Sequence, residues 1–496
     1  MDHYDLLIRN GRVLDAESHF DSVADVAISS GLIDRIEPEI DPALADDTID
    51  ASGQWVMPGM VDTHVHVAGA RDLGGSKGLG LQMVAAAGAT TVLDLGGRIE
   101  ILAAGIAARG SGVNVGSLLY LRPGETVPEG RLDATKIRDV VGRALDAGSL
   151  GVKILGGYYP FTPDETAQFI SSANDMGAYI AYHVGTTETG SRLDGVREIP
   201  ALLGGSGRVH VAHINAYCRG SVLPVEQEIR EALQIIEDLR DQVVSEVHLA
   251  RPNFTRGKSD AAGHVLADVC RNCLRLKDYE ATADGIRAAL RDGYASTVEE
   301  TRTGLVLVTG ERGVELFDEG ETDVSLSFPV NSAESAFQLT AARRSTGNSE
   351  AAPGVVRGGA GSTDAEFVID AIGSDAGVLP RNVNIEQAMR LVKFGALEPL
   401  DVVLKLSLNP ARMIGLDSKG RLSEGKDADL TLIDPVEGRA SYGVVAGRVI
   451  MMAGRVVGTG GTILTTGQGT ATVASTGIPF ETVDITQAMM YAGRRG

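Results

Sequence analysis

A repeat of about 30 residues runs through the middle of this chain and limits what it can fold into. Lys153, His183 and His213 follow one another at 30-residue intervals, each in or beside a short apolar run (150–155, 179–184, 209–214). Residues 90–95 form another run of this kind. Helix-length material separates the runs. Residues 163–176, for example, open with Thr162-Pro163, a threonine N-cap followed by proline at the first helical position. Buried-type strands alternating with helices read as βα units, and a (β/α)8 barrel of ~250 residues uses roughly 31 residues per unit. The 87 residues from His66 to Lys153 are close to three units.

Both chain ends follow a different period. Residues 5–9 and 10–14 flank an expected turn at Asn10-Gly11, and 23–29 and 32–36 flank Ser30-Gly31. Near the other end, 429–433 and 442–450 lead to Ala453-Gly454 and 455–457. Apolar residues at period two, broken by such turns, predict antiparallel β structure. Neither end can build a core alone, so residues 1–56 and 418–474 are expected to form one small β-sandwich domain. The expected class is therefore α/β: a distorted (β/α)8 TIM barrel over 57–417 plus this β domain. Residues of about 249–345 interrupt the repeat with charged helical stretches at 279–292 and 311–319. They read as an insertion placed to cover the barrel mouth, followed by a flexible Gly/Ser/Ala-rich loop at 347–361. Residues 475–496 lack periodicity and are expected to wrap the body or a partner subunit.

Composition excludes several functions. Asp and Glu outnumber Lys and Arg by 66 to 45, a net charge of −21. Such a surface repels phosphate backbones and anionic lipid, so no nucleic-acid partner is expected. No apolar run reaches about 18 residues, so no membrane span is expected. The N-terminus carries acid early and has no apolar signal core, which makes the cytoplasm the expected location. Cys270 and Cys273 have C-x-x-C spacing, but Cys218 is the only other cysteine, so they are expected to be ordinary half-buried thiols.

The strongest chemical signal is Pro58-Gly59-Met60-Val61-Asp62-Thr63-His64-Val65-His66. Histidines at i and i+2 of a strand share a face, so both imidazoles can reach one metal ion. If His64 and His66 end barrel strand one, the spacing puts Lys153 at the end of strand four, His183 of strand five and His213 of strand six. Barrel active sites lie at these ends. Asp375 follows an apolar stretch in a small-residue turn, as expected at the end of strand eight. The excess of roughly 100 residues between His213 and Asp375 matches the insertion. Tyr158, Tyr159 and Arg219 follow ligand-bearing strands and are candidate pocket residues, Arg219 for a substrate carboxylate. His248 ends another strand and is a further substrate-contact candidate. His3, His19 and His264 read as surface or packing residues.

On these motifs, together with Gly420-Arg421-Leu422-Ser423-Glu424-Gly425-Lys426-Asp427-Ala428-Asp429-Leu430, the chain resembles the amidohydrolase superfamily over most of its length. The resemblance implies a hydrolase acting on carbon–nitrogen bonds other than peptide bonds. It assigns His64 and His66 to the more buried of two divalent metal ions and His183 and His213 to the outer one. Lys153, carboxylated by CO2, would bridge both ions, and Asp375 would ligate the inner one and shuttle protons. A carbamate suits that bridge because it is anionic and offers two oxygens. Asp94 is the rival bridging ligand and His210 the rival of His213; the match at Val211-Ala212-His213-Ile214-Asn215 favours His213. Zinc is the expected metal, and manganese, cobalt or iron would suit the same donors.

The segment Val13-Leu14-Asp15-Ala16-Glu17-Ser18 is similar to N-acyl-D-amino-acid deacylases, whereas the strand-four lysine is similar to dihydroorotases and hydantoinases. The substrate is accordingly expected to be a small cyclic amide or an N-acyl amino acid, and the protein a homo-oligomer. The alternatives are a mononuclear deaminase and a metal-free hydantoinase-like scaffold.

Overall fold

The computed structural model describes residues 3–68, 77–301, 304–320, 325–329, 333–344, 366–377 and 381–494. The loop expected at 347–361 lies outside the described residues.

Eight parallel strands close into a barrel: Met60–His66, Ala89–Asp94, Asn114–Tyr120, Gly151–Leu155, Tyr179–His183, Val209–Val211, Val243–His248 and a split eighth, Ala371–Gly373 with Ala376–Gly377. The eighth closes the ring from both sides: Ile372 aligns with Val247 of strand seven, and Ala376 with Val65 of strand one. Asp62 ties this seam by accepting from the Ser374 N–H (3.0 Å) and from Asn384 Nδ2 (3.3 Å). Strands covered on both faces need continuous apolar sequence, and all of Ala89–Asp94 is buried. Helices return the chain between strands. Ala134–Asp146 buries Ile137, Val140, Val141, Ala144 and Leu145, one stripe at helical spacing. Each such Ile, Val or Leu contributes about 1.5–3 kcal/mol on burial. Thr162 caps Pro163–Asp175 in a reciprocal capping box with Glu165, as the Thr-Pro pair predicts.

A nine-stranded sheet is built from both chain ends and joins them where Trp55–Pro58 pairs antiparallel with Leu430–Asp434. Leu6, Ile8, Val26, Val56, Leu430 and Leu432 share its core. The turn expected at Asn10-Gly11 is instead a bulge within one strand, Tyr4–Asp15, whose register shifts between Ile8 and Gly11. Asn10 takes the left-handed backbone (φ 60) there, and its N–H donates to Asp25 Oδ1 (2.8 Å). A Cβ on Gly11 would lie 2.4 Å from Val56 Cγ2, so close packing requires the glycine. Ser30-Gly31 and Ala453-Gly454 do turn, with positive φ at both positions as a two-residue hairpin needs.

Between strands seven and eight lies the insertion. Pro252–Arg256, Ser296–Thr301, Gly304–Val308 and Ser325–Pro329 form its antiparallel sheet, beside helices Asp268–Arg275, Ala283–Arg291 and Gly310–Glu319. It has a core of its own that includes Ile286, Phe317 and Phe328, with the free thiols of Cys270 and Cys273 fully buried in it. The helix expected at 279–292 begins only at Ala283, because the Thr282 side chain caps it through Gly285 N.

The chain end wraps the body. Thr462–Thr465 pairs with barrel strand three, and Leu464, Val483, Ile485 and Met489 pack with Leu118, Leu150, Tyr179 and Val244 at the N-terminal ends of the strands. Arg494 ion-pairs with Asp370 (2.8 Å) and donates to the Val243 carbonyl (3.0 Å). Among the described residues no helix is long and apolar enough to cross a membrane.

Candidate metal centre

A cavity of about 270 Å³ opens at the C-terminal ends of the barrel strands. His64, His66, Lys153, His183, His213 and Asp375 all line it, and so do Tyr158, Tyr159, Arg219 and His248.

Strand one alternates inward at His64 and His66, and the break in strand eight brings Asp375 against both. One ligand atom from each of these three side chains lies within 4.8 Å of the others. Asp375 Oδ1 is 2.9 Å from His66 Nε2 and 3.3 Å from His64 Nε2. The Asp375 N–H donates to the His64 carbonyl (2.8 Å), which fixes the two strands in register.

Lys153 comes inward from strand four with 1 % of its side chain exposed, and its Nζ has no hydrogen-bond partner. Burial pushes this ammonium down to about 8, although Glu246 and Asp375 pull it back part of the way. His183 Nε2 meets Ser191 Oγ (2.9 Å), and Asp268 of the insertion accepts from the Ser191 N–H (2.9 Å). The His213 ring lies 4.6 Å from that of His183 and 5.1 Å from that of His64, and its Nδ1 is unpartnered. Burial holds both His183 and His213 well below the usual imidazole range, so both are neutral and able to donate a lone pair.

Strand six ends at Val211 rather than at 214, and this explains a spacing that fits neither strand face. His213 occupies the turn after the strand in the left-handed region (φ 34). Asp375 is also left-handed (φ 50). This conformation costs about 1–2 kcal/mol for a residue with a Cβ, and such strain collects at functional sites.

Neither rival faces the cavity. Asp94 is fully buried and spends its carboxylate on the N–H groups of Val67, Ala68 and Gly96 (3.1, 2.6 and 3.0 Å). His210 lies deeper in the barrel, with Nδ1 3.2 Å from the Tyr179 hydroxyl. Of the pocket candidates, Tyr158 reaches the Phe254 carbonyl (3.4 Å), Tyr159 lies under Arg122 (5.0 Å), and Arg219 Nε and His248 Nδ1 have no partner. Burial pushes His248 down to about 3.

Sequence reasoning passed over two residues here. Arg381 ion-pairs with the second oxygen of Asp375 and donates from Nε to its carbonyl. Burial alone would raise the Asp375 carboxyl; Arg381, His64 and the hydrogen bond from His66 outweigh it and hold the group well below its usual range. No pattern marks Arg381 in the sequence. Glu246 lies at hydrogen-bond range of His64 Nδ1 and accepts from the Thr63 hydroxyl. Its signal was present: an acid inside an apolar strand, two residues before His248 and on the same face.

Comparison with known proteins agrees with this architecture. The model of the "Amidohydrolase family" matches residues 339–460. A dihydroorotase of Trichlorobacter lovleyi is 24% identical over 454 residues, 87% of this chain and 90% of the relative. One from Geobacter metallireducens is 23% identical over 90% of this chain and 99% of its own length. Among solved structures, a D-aminoacylase with a binuclear metal center is similar at a TM-score of 0.65 and 16% identity, over 93% of this chain and 99% of that one. An N-acyl-D-glutamate deacylase of Bordetella bronchiseptica, complexed with zinc and a phosphonate inhibitor, reaches 0.62 at 17% identity over 93% and 99%. D-hydantoinase reaches 0.52 at 17% identity, over 92% and 98%. With its closed barrel, its β domain made from both ends and its family match over residues 339–460, the chain is similar in sequence and in fold to the amidohydrolase superfamily.

Proposed function

We propose that this enzyme is a metal-dependent hydrolase that cleaves an amide carbon–nitrogen bond of a small cyclic amide or N-acyl amino acid. One observation carries the reading. Three ligand atoms converge within 4.8 Å in the cavity that also holds the buried, unpartnered amine of Lys153. A buried amine without a partner is costly unless something pairs with it.

The donors fit divalent cations, with zinc the first candidate: His64, His66 and Asp375 for the inner ion, His183 and His213 for the outer one, and Lys153 as a carbamate between them. Bound there, such ions lower the pKa of water towards neutral and polarise the substrate carbonyl. The lowered Lys153 pKa supports carbamate formation, since CO2 adds to a neutral amine. Asp375 enters the reaction ionised, with one oxygen towards the imidazoles. It accepts the proton of the attacking water, and its pairing with Arg381 makes it a weak base that passes this proton readily to the leaving nitrogen. Arg219 at the cavity wall supplies a guanidinium for a substrate carboxylate.

The test is metal content per chain by plasma mass spectrometry, for wild type and Lys153→Ala purified without chelator. About two ions, falling to one or none in the variant, support the reading. About one ion in both removes Lys153 from the bridge and brings a mononuclear deaminase forward, and no metal in either leaves a non-catalytic scaffold.

A further inference from the structure

Glu246 lies beneath the proposed centre on barrel strand seven, with 1 % of its side chain exposed. A carboxylate this deep needs partners, and the barrel supplies them from several strands. His64 Nδ1 bonds to Oε1 and the Thr63 hydroxyl to Oε2, both from strand one. His210 Nε2 of strand six is 3.5 Å from Oε2, and His210 Nδ1 meets the Tyr179 hydroxyl of strand five. Lys153 and Asp375 are the charged groups closest above this network, both counted among the proposed ligands.

The contact decides which nitrogen of His64 carries the proton. With the proton on Nε2, Nδ1 and Glu246 Oε1 would face each other as two acceptors at hydrogen-bond range. With the proton on Nδ1, the bond to Glu246 forms, and Nε2 turns its lone pair towards Asp375 Oδ1, 3.3 Å away. Two acceptors that close are held together favourably by a cation between them. We propose that Glu246 is the positioning residue of the centre, holding His64 as the Nδ1–H tautomer so that Nε2 is the metal-binding atom. This rests on the reading of the cavity as a metal site. It also gives the second buried histidine of strand six a place: His210 faces Glu246 at 3.5 Å rather than the cavity that His213 lines.

Two measurements test it. Selective 15N-histidine NMR on metal-free wild type, with nine histidines to assign, should show His64 protonated at Nδ1. Zn2+ competition against a chromophoric chelator should show binding weakened roughly 10–100-fold in Glu246→Met. Glu246→Gln, which keeps an acceptor oxygen without the charge, should fall between the two and restore part of the affinity. If wild type binds Zn2+ and both variants bind within twofold of it, the inference fails while the metal-site reading stands. If wild type binds no Zn2+, both fail. A proton on His64 Nε2 overturns the inference directly, and that measurement needs no variant to fold.

Discussion

Replacing Lys153 with methionine should stabilise the metal-free, CO2-free protein at neutral pH. The side chain is buried, Nζ has no partner, and burial brings the ammonium from 10.5 down to about 8. At about 1.36 kcal/mol per pKa unit, the drop from 10.5 to about 8 amounts to about 3 kcal/mol. The sign follows from proton binding. Below about pH 8 the lysine is protonated in both states, and the folded state carries the full desolvation penalty. Between about 8 and 10.5 the unfolded chain keeps its proton while the folded chain has released it, so wild-type stability rises with pH. Above 10.5 the penalty is gone. Methionine fills similar space without charge. Urea unfolding of both proteins should therefore put Lys153→Met ahead by about 3 kcal/mol at pH 7, with the gap nearly closed at pH 10.5. Added Zn2+ and bicarbonate should reverse the order at pH 7, since a ligand at about 1,000 times its Kd adds about 4 kcal/mol to the protein that binds it. A variant less stable than wild type at pH 7 without metal, or a gap indifferent to pH, would refute the reasoning.

Asp375→Asn keeps the shape but removes the base, so kcat for a cyclic amide should fall ~10²–10⁴-fold while KM changes little; steady-state kinetics read both. Arg219→Ala should raise KM roughly 10–100-fold for substrates bearing a carboxylate, as loss of one charge-assisted hydrogen bond implies, and leave uncharged analogues unaffected. Acid should unfold the metal-free protein early. His64 drops from 6.5 to about 4 through burial, so the stability present above pH 6.5 is lost as the pH falls through about 4, and His183, His213 and His248 act in the same direction. Midpoint denaturant measured from pH 7 to 4 checks this.

The barrel was legible in the sequence because a βα unit repeats its own period: strands of buried residues recur every 30 or so positions, and ligand candidates fall at their ends. Local chemistry was legible too, as in the Thr162 cap and the Ser30-Gly31 turn. The Asn10-Gly11 bulge was not, because the same left-handed pair serves a turn or a bulge, and only the packing of Val56 against Gly11 decides between them. The His213 spacing was unreadable for a similar reason: strand six stops short, and a strained turn carries the ring into the cavity. Glu246 owes its place to His64 and Thr63, 182 and 183 residues away, and Arg381, only six residues past Asp375, is also held by the Pro252 carbonyl 129 residues away. No sequence period records such contacts, because burial and charge pairing between distant strands are settled only when the barrel closes. The sequence by itself determined the repeating architecture and the candidate donors. Closure at the split eighth strand decided which donors meet, which nitrogen of His64 faces them, and which anion holds it there.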